Sequence, residues 1–70
     1  MNKYIFNKER KQDILKGRTI TYVADNILGK QNGYITNILN GKVNCNIRLA
    51  NWIATKLDPG STLQDYFKEV

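Results

Sequence analysis

The sequence predicts an all-α fold: a compact bundle of about five short helices in a single domain, residues 1–70. Apolar residues recur with helical spacing in three segments, 20–28, 35–39 and 47–57. Glycine, proline or asparagine separates these segments. No segment shows the sustained alternation of apolar and polar residues that is typical of a half-buried strand.

The N-terminal part is predicted as an arm followed by one helix. Residues 1–6 form the arm, and its apolar end is expected to pack onto the core through Tyr4, Ile5 and Phe6. Asn7 is suited to cap a first helix over 8–16, because an asparagine oxygen can accept from the free N–H groups of a first turn. Gly17 is expected to end that helix.

Two helices are predicted between Thr19 and Gly41, and the remaining chain is expected to hold them. Thr19 or Thr21 can cap the first of these two, whose core-facing stripe is Ile20, Val23, Ala24, Ile27 and Leu28. A turn at Gly29 leads into the second, which presents Ile35, Ile38 and Leu39 on one face. Asn40-Gly41 is expected to end it, since glycine tolerates the left-handed conformation of a C-terminal cap.

The C-terminal part is predicted as two helices joined by a turn. Asn44 or Asn46 can cap a helix over 47–57, whose inward face is Ile47, Ala50, Ile53, Ala54 and Leu57, widened by Leu49 and Trp52. Residues 58–61 form a turn, because proline and glycine do not continue a helix. A last short helix, capped by Thr62, is expected to turn Leu63, Tyr66 and Phe67 inward.

The outer face of the segment 29–41 is the first functional signal. Opposite its apolar stripe it presents Gly33, Asn37 and Asn40, flanked by Tyr34 and Thr36, and it has no carboxylate. Amide side chains carry both donors and acceptors, so they can pair with base edges in a DNA major groove. The alternative is an ordinary amphipathic surface helix.

The charge distribution indicates an anionic partner. The formal net charge is +5 and the sequence pI about 9.6. Residues 1–18 carry +4, and residues 26–57 carry another +4 with no acid at all. Asp25 and the segment 58–70 are acidic. A positive body of this kind suits a polyanion that lies along the middle of the molecule.

Several classes of function lack the residues they need. The chain has no histidine, and its single cysteine, Cys45, has no paired base. No apolar run approaches the ~20 residues of a membrane span. We therefore expect a cytoplasmic protein that is not an enzyme and that has no metal, cofactor or small-molecule substrate.

The order of these features resembles the phage repressor/Cro-type helix-turn-helix family over about residues 7–67. The residues that carry the resemblance are Gly17, Thr19, Val23-Ala24, Leu28-Gly29, Ile35, Ile38, Asn40-Gly41-Lys42, Ile47, Ile53-Ala54 and Leu57. In that family the second and third helices form the DNA-binding unit, here 19–40, and the third lies in the major groove.

The resemblance implies double-stranded DNA as the partner and a set of contact residues. The positions that read bases are Gln31, Asn32, Gly33, Tyr34 and Asn37. The positions that touch phosphates are Thr19, Lys30, Thr36, Asn40, Lys42 and Asn44. The alternatives to DNA contact are that Asn32 caps the helix, that Tyr34 packs at the edge of the core, and that Lys42 is a solvated surface residue.

One departure from the family affects the geometry of this unit. The family usually has three residues between the small residue at Ala24 and the glycine at Gly29, and this chain has four. Either the turn is one residue longer or the second helix begins later.

A homodimer on a palindromic operator is also expected, because one such helix contacts only a few base pairs. Surplus apolar surface predicts the dimer contact at Trp52, Pro59, Leu63 and Tyr66, although Trp52 is equally suited to the core. The alternative function is a protein-interaction module, such as an antitoxin or antirepressor, that uses the acidic segment 58–70.

Overall fold

A computed structural model describes residues 3–70 and corrects the all-α prediction, which is wrong. Within these residues five helices pack with a three-stranded antiparallel sheet. The strands are β1 (Lys3–Phe6), β2 (Cys45–Asn46) and β3 (Phe67–Glu69), in the order β2-β1-β3. Residues 1 and 2 of the predicted arm lie outside the described residues.

The sheet joins the two ends of the chain through β1. In that strand Tyr4 and Phe6 are buried, so the arm packs onto the core as predicted, but as a strand. Tyr4 is paired with Cys45 on one side, and Phe6 is paired with Phe67 on the other. Phe67 was expected in the last helix, but its backbone is extended. Strands of two to four residues are too short for an alternating pattern to show.

The helices lie close to the predicted segments. A 3₁₀ turn, Lys8–Arg10, leads into α1 (Lys11–Leu15), and α2 (Ile20–Tyr22) continues without a break as a π-helical segment (Val23–Leu28). They are followed by α3 (Asn32–Leu39), α4 (Ile47–Leu57) and α5 (Leu63–Tyr66).

Predicted capping side chains begin several of these elements. Asn7 Oδ1 accepts from the backbone N–H of Glu9 (3.1 Å), Thr19 Oγ1 from Tyr22 (3.0 Å) and Asn46 Oδ1 from Leu49 (2.8 Å). At α5 the backbone N–H of Thr62 donates to Asp65 Oδ2 (2.8 Å). Of the two pairs of alternatives, Thr19 and Asn46 are therefore the caps.

One hydrophobic core joins the strands and the helices, and the 3₁₀ turn contributes no buried side chain to it. Its most enclosed large side chains are Ile14, Val23, Ile35, Ile38, Leu39, Ile53 and Leu57. Ile47 was predicted in the inward face of α4, but it is 48% exposed because it begins the helix at the protein surface. Ile20, Ile27, Leu49 and Trp52 are half-buried at the edge of the core.

Arg18 connects the ends of two helices. Its Nε donates to the carbonyl of Leu15 (2.8 Å), and its Nη2 donates to the carbonyl of Leu57 (2.7 Å). The last carbonyls of a helix lack partners within the helix, so this guanidinium satisfies both ends at once. Arg18 thus holds α1 against α4 rather than standing free for a partner.

Candidate nucleic-acid interface

The four residues between Ala24 and Gly29 all lie within the helix. Residues Val23–Leu28 form a π-helical segment, in which each turn holds about one residue more than an α-helical turn. The N–H groups of Gly29 and Lys30 both donate to the carbonyl of Ala24, the latter at 3.0 Å. The residues between Ala24 and Gly29 are therefore accommodated within the helix, which begins at its Thr19 cap.

Gly29 makes the turn that follows. It has φ +64° and ψ 33°, a left-handed conformation that costs glycine little. The chain then extends at Gln31 and enters α3 at Asn32. The link from the π-helical segment to α3 is therefore short, and it fixes the position of α3 next to α2.

Asn32 ties α3 to α2. Its Nδ2 donates to Thr21 Oγ1 (2.5 Å), and its Oδ1 accepts from Thr36 Oγ1 (3.0 Å). Asn32 is the first residue of α3 and Gln31 is the residue before it, so a capping role for Asn32 is wrong. The contact locks two of the predicted DNA-contact residues, Asn32 and Thr36, into one orientation.

The outer face of α3 is open to solvent. Gln31, Gly33, Tyr34 and Asn37 are exposed, and Tyr34 is 43% exposed rather than packed at the core edge. A side chain added at Gly33 would meet no other atom within 4 Å, so packing does not require glycine there. This face offers two amides, a phenol and bare backbone with no acid among them.

The Asn40-Gly41 ending forms as predicted. Gly41 has φ +72°, and its N–H donates to the carbonyl of Ile38 (3.0 Å). The N–H of Lys42 donates to the carbonyl of Asn37 (2.9 Å), which completes a glycine-based C-terminal cap. Lys42 and Asn44 follow on an exposed loop, where their side chains are accessible to a partner.

Lys11 is a residue of this surface that the sequence did not predict. Its Nζ donates to Asn40 Oδ1 at 2.8 Å, and both residues are half-buried. Lys11 lies in the first turn of α1, 29 positions before Asn40. No pattern in the sequence connects the two, since the contact depends on how α1 packs against the end of α3.

Lys30 and Trp52 form a second unpredicted contact. The Lys30 ammonium lies 5.8 Å from the centre of the Trp52 ring, a separation at which a cation is attracted to the ring face. A shallow groove of about 470 Å³ surrounds the pair, lined by Lys30, Asn46, Arg48, Leu49 and Trp52. Lys30 therefore lies beside α4, although its backbone belongs to the turn before α3.

Internal contacts use part of the positive charge of residues 1–18. Arg10 contacts Asp13 at 2.9 Å, and Lys16 contacts Asp58 at 2.9 Å. Arg18 is bound by helix carbonyls. The positive charges near α3 come mainly from Lys11, which contacts Asn40, and from Lys30 and Lys42, which lie just before and just after the helix. Exposed ion pairs add little to stability, but they reduce the charge that is available to a partner.

The predicted dimer contacts differ in accessibility. Leu63 and Tyr66 are only 6% and 4% exposed, because they pack into the core of their own chain. Pro59 is exposed, and Trp52 is half-buried. Trp52 is therefore both an edge of the core and a surface residue.

No protein-family model, curated protein or solved structure matches the chain. In the part of the chain that the structure describes, no helix is long and apolar enough to cross a membrane.

Proposed function

We propose that this protein binds double-stranded DNA in a sequence-specific manner, as a small transcriptional regulator of the Cro/repressor type. The observation that carries the proposal is the exposed, acid-free outer face of α3. α2 supports that face through the Asn32–Thr21 hydrogen bond, and the C-terminal cap at Gly41 ends it. In a helix-turn-helix protein this face enters the major groove.

The proposed roles follow the chemistry of the side chains. Gln31, Tyr34 and Asn37 read base edges, with Asn32 and Gly33 at the same surface. Lys42, Lys30, Thr19 and Asn44 contact phosphates, and Asn40 and Thr36 lie beside them. Two copies occupy a palindromic operator in the cytoplasm, in the manner of regulators from phages or mobile elements.

A protein-interaction role through the acidic segment 58–70 is less well supported. The carboxylate of Asp58 is bound by Lys16 and Tyr66, and that of Asp65 accepts from the backbone N–H of Thr62. Both acids serve the fold, so Glu69 is the acid of this segment that is exposed and has no such structural role.

The test is selection of duplexes from a random-sequence library, followed by gel shift with the enriched sequence. We expect enrichment of a two-fold symmetric site, bound at least a thousandfold more tightly than random duplex, the lower end for specific DNA-binding proteins. A library that stays random after repeated selection, together with no shift of any duplex, would refute the proposal.

A further inference from the structure

We infer that Lys11 is a positioning residue for Asn40, and that it directs the Asn40 amide to donate to an anionic group. The anion is a phosphate of the DNA backbone, and in this respect the inference rests on the proposed function. It adds to the interface a residue from α1, outside the helix-turn-helix unit of residues 19–40.

The hydrogen bond determines which end of the amide is free. An asparagine side chain has an acceptor oxygen and a donor nitrogen, so by itself it can face either a donor or an acceptor. A lysine ammonium has donors only, and it therefore contacts the oxygen of Asn40, at 2.8 Å. The two protons of Asn40 Nδ2 are left for an acceptor outside this contact.

The position of Asn40 explains why such orientation is needed. Asn40 follows directly after α3, where the last carbonyls of the helix carry partial negative charge. That charge repels a phosphate. The Lys11 ammonium places a positive charge at this end of the helix, and Lys42 lies two residues further along the exposed loop. Together they make the end of α3 suitable for an anion.

Partial burial also restricts the Lys11–Asn40 pair. Both Lys11 and Asn40 are half-buried, which restricts their side chains more than those of exposed residues. A hydrogen bond that involves a charged group is about twice as strong as a neutral one. The amide is therefore oriented before a partner arrives, and binding does not have to bear the entropic cost of ordering it.

The experiment is a double-mutant cycle in DNA binding. Lys11→Met removes the ammonium and keeps most of the stem, and Asn40→Ala removes the amide. Each variant and the double variant are measured at one salt concentration on the duplex that the wild-type protein selects. Lys56→Met is the matched control, since Lys56 is an exposed lysine in the last turn of α4.

We expect Asn40→Ala and Lys11→Met each to weaken binding about tenfold, equivalent to about 1.4 kcal/mol. The double variant should bind only slightly more weakly than the weaker single variant, because both changes remove the same contact and only the attraction of the Lys11 charge itself is left to lose. Lys56→Met should change the affinity less than about threefold. Lys11→Arg should retain most of the affinity, since a guanidinium also has donors only.

Two controls separate this inference from a structural role and from the proposed function. The melting temperature of each variant is measured, and binding is compared below the lowest transition. If Lys11→Met loses no more affinity than Lys56→Met, or if the losses of the two single variants multiply in the double variant, the inference is wrong while the proposed function stands. If the wild-type protein selects and binds no duplex, both fail.

Discussion

The hydroxyl of Tyr66 donates a hydrogen bond to Asp58 Oδ2 at 2.5 Å, and the other carboxylate oxygen of Asp58 lies 2.9 Å from Lys16 Nζ. This carboxylate therefore connects α5 with the residue that follows α1. The Tyr66 hydrogen bond, and then Lys16, hold the pKa of Asp58 below its usual value of 3.8. The same hydrogen bond raises the pKa of Tyr66 to about 12.

We predict that Asp58 makes the protein less stable in acid. A carboxyl whose pKa is lowered by folding stabilises the folded state above its unfolded pKa, and this stabilisation is lost as the pH falls through the lowered value. The melting temperature is measured from neutral pH to about pH 2, which is below the usual carboxyl range. It should fall more steeply with decreasing pH for the wild type than for Asp58→Asn. Glu69→Gln, which removes an exposed acid in β3, is the control. Equal slopes for the wild type and Asp58→Asn would contradict the prediction.

We predict that the Tyr66 hydroxyl makes the stability of the protein depend on pH at the alkaline end of the range. Its pKa is raised by folding, so its stabilisation is complete below the usual value of 10 and is lost as the pH rises through about 12. In an absorbance titration of the phenols, Tyr66→Phe should remove the step near pH 12. If that step persists in Tyr66→Phe, it belongs to another tyrosine.

We predict that DNA affinity falls steeply with salt, because the exposed lysines near α3 displace counterions from the phosphates. Between about 50 and 200 mM salt a protein that contacts several phosphates loses orders of magnitude in affinity. The measurement is a titration of one duplex at several salt concentrations. An affinity that stays constant over this range would mean that Lys30 and Lys42 do not contact phosphates.

We predict that Asn37 recognises a base, whereas Lys42 contacts a phosphate. The Asn37 amide, mid-way along the exposed face of α3, can bond adenine at two edge atoms, a contact worth ~1–3 kcal/mol of discrimination. Asn37→Ala should therefore weaken binding to the selected duplex and leave binding to random duplex nearly unchanged. Lys42→Ala should weaken both about equally and lower the salt slope by ~1.

Those two variants serve as controls for each other. Both residues are exposed, so neither change removes a core contact. If Asn37→Ala weakens binding to selected and random duplexes alike, α3 is not the helix that reads bases. The π-helical segment would then be the first feature to examine, because it sets the direction in which the chain enters α3.

We predict that two copies bind one site, with half-sites about one helical turn, roughly 34 Å, apart. Since Leu63 and Tyr66 are buried in their own chain, the accessible part of the predicted contact is Pro59 and Trp52. Sedimentation of the protein with the selected duplex should show two protomers per duplex. Pro59→Asp should reduce this to one without lowering the melting temperature substantially. A single wild-type protomer on a symmetric duplex would contradict the dimer.

Much of the fold followed from local sequence. The cap at Asn7 depends only on a side-chain oxygen placed before a helix, and the glycine ending at Gly41 depends only on one backbone conformation. For the other two caps the sequence left Thr19 or Thr21 and Asn44 or Asn46 open, and the structure selected Thr19 and Asn46. The buried stripe of Ile35, Ile38 and Leu39 follows from helical periodicity. The exposure of Asn37 follows from the same periodicity, because it lies on the opposite face.

Other features were decided only by the tertiary structure. The strands are short, and each is held by partners distant in the sequence, such as Tyr4 with Cys45 and Phe6 with Phe67. The π-helical segment places both Val23 and Leu28 in the core, where they pack against elements distant in the sequence. The Lys11–Asn40 contact joins residues 29 positions apart. Caps and periodicity are properties of a few consecutive residues, so they can be predicted from the sequence. Strand pairing and packing depend on which distant segments meet, and a single sequence does not show which segments these are.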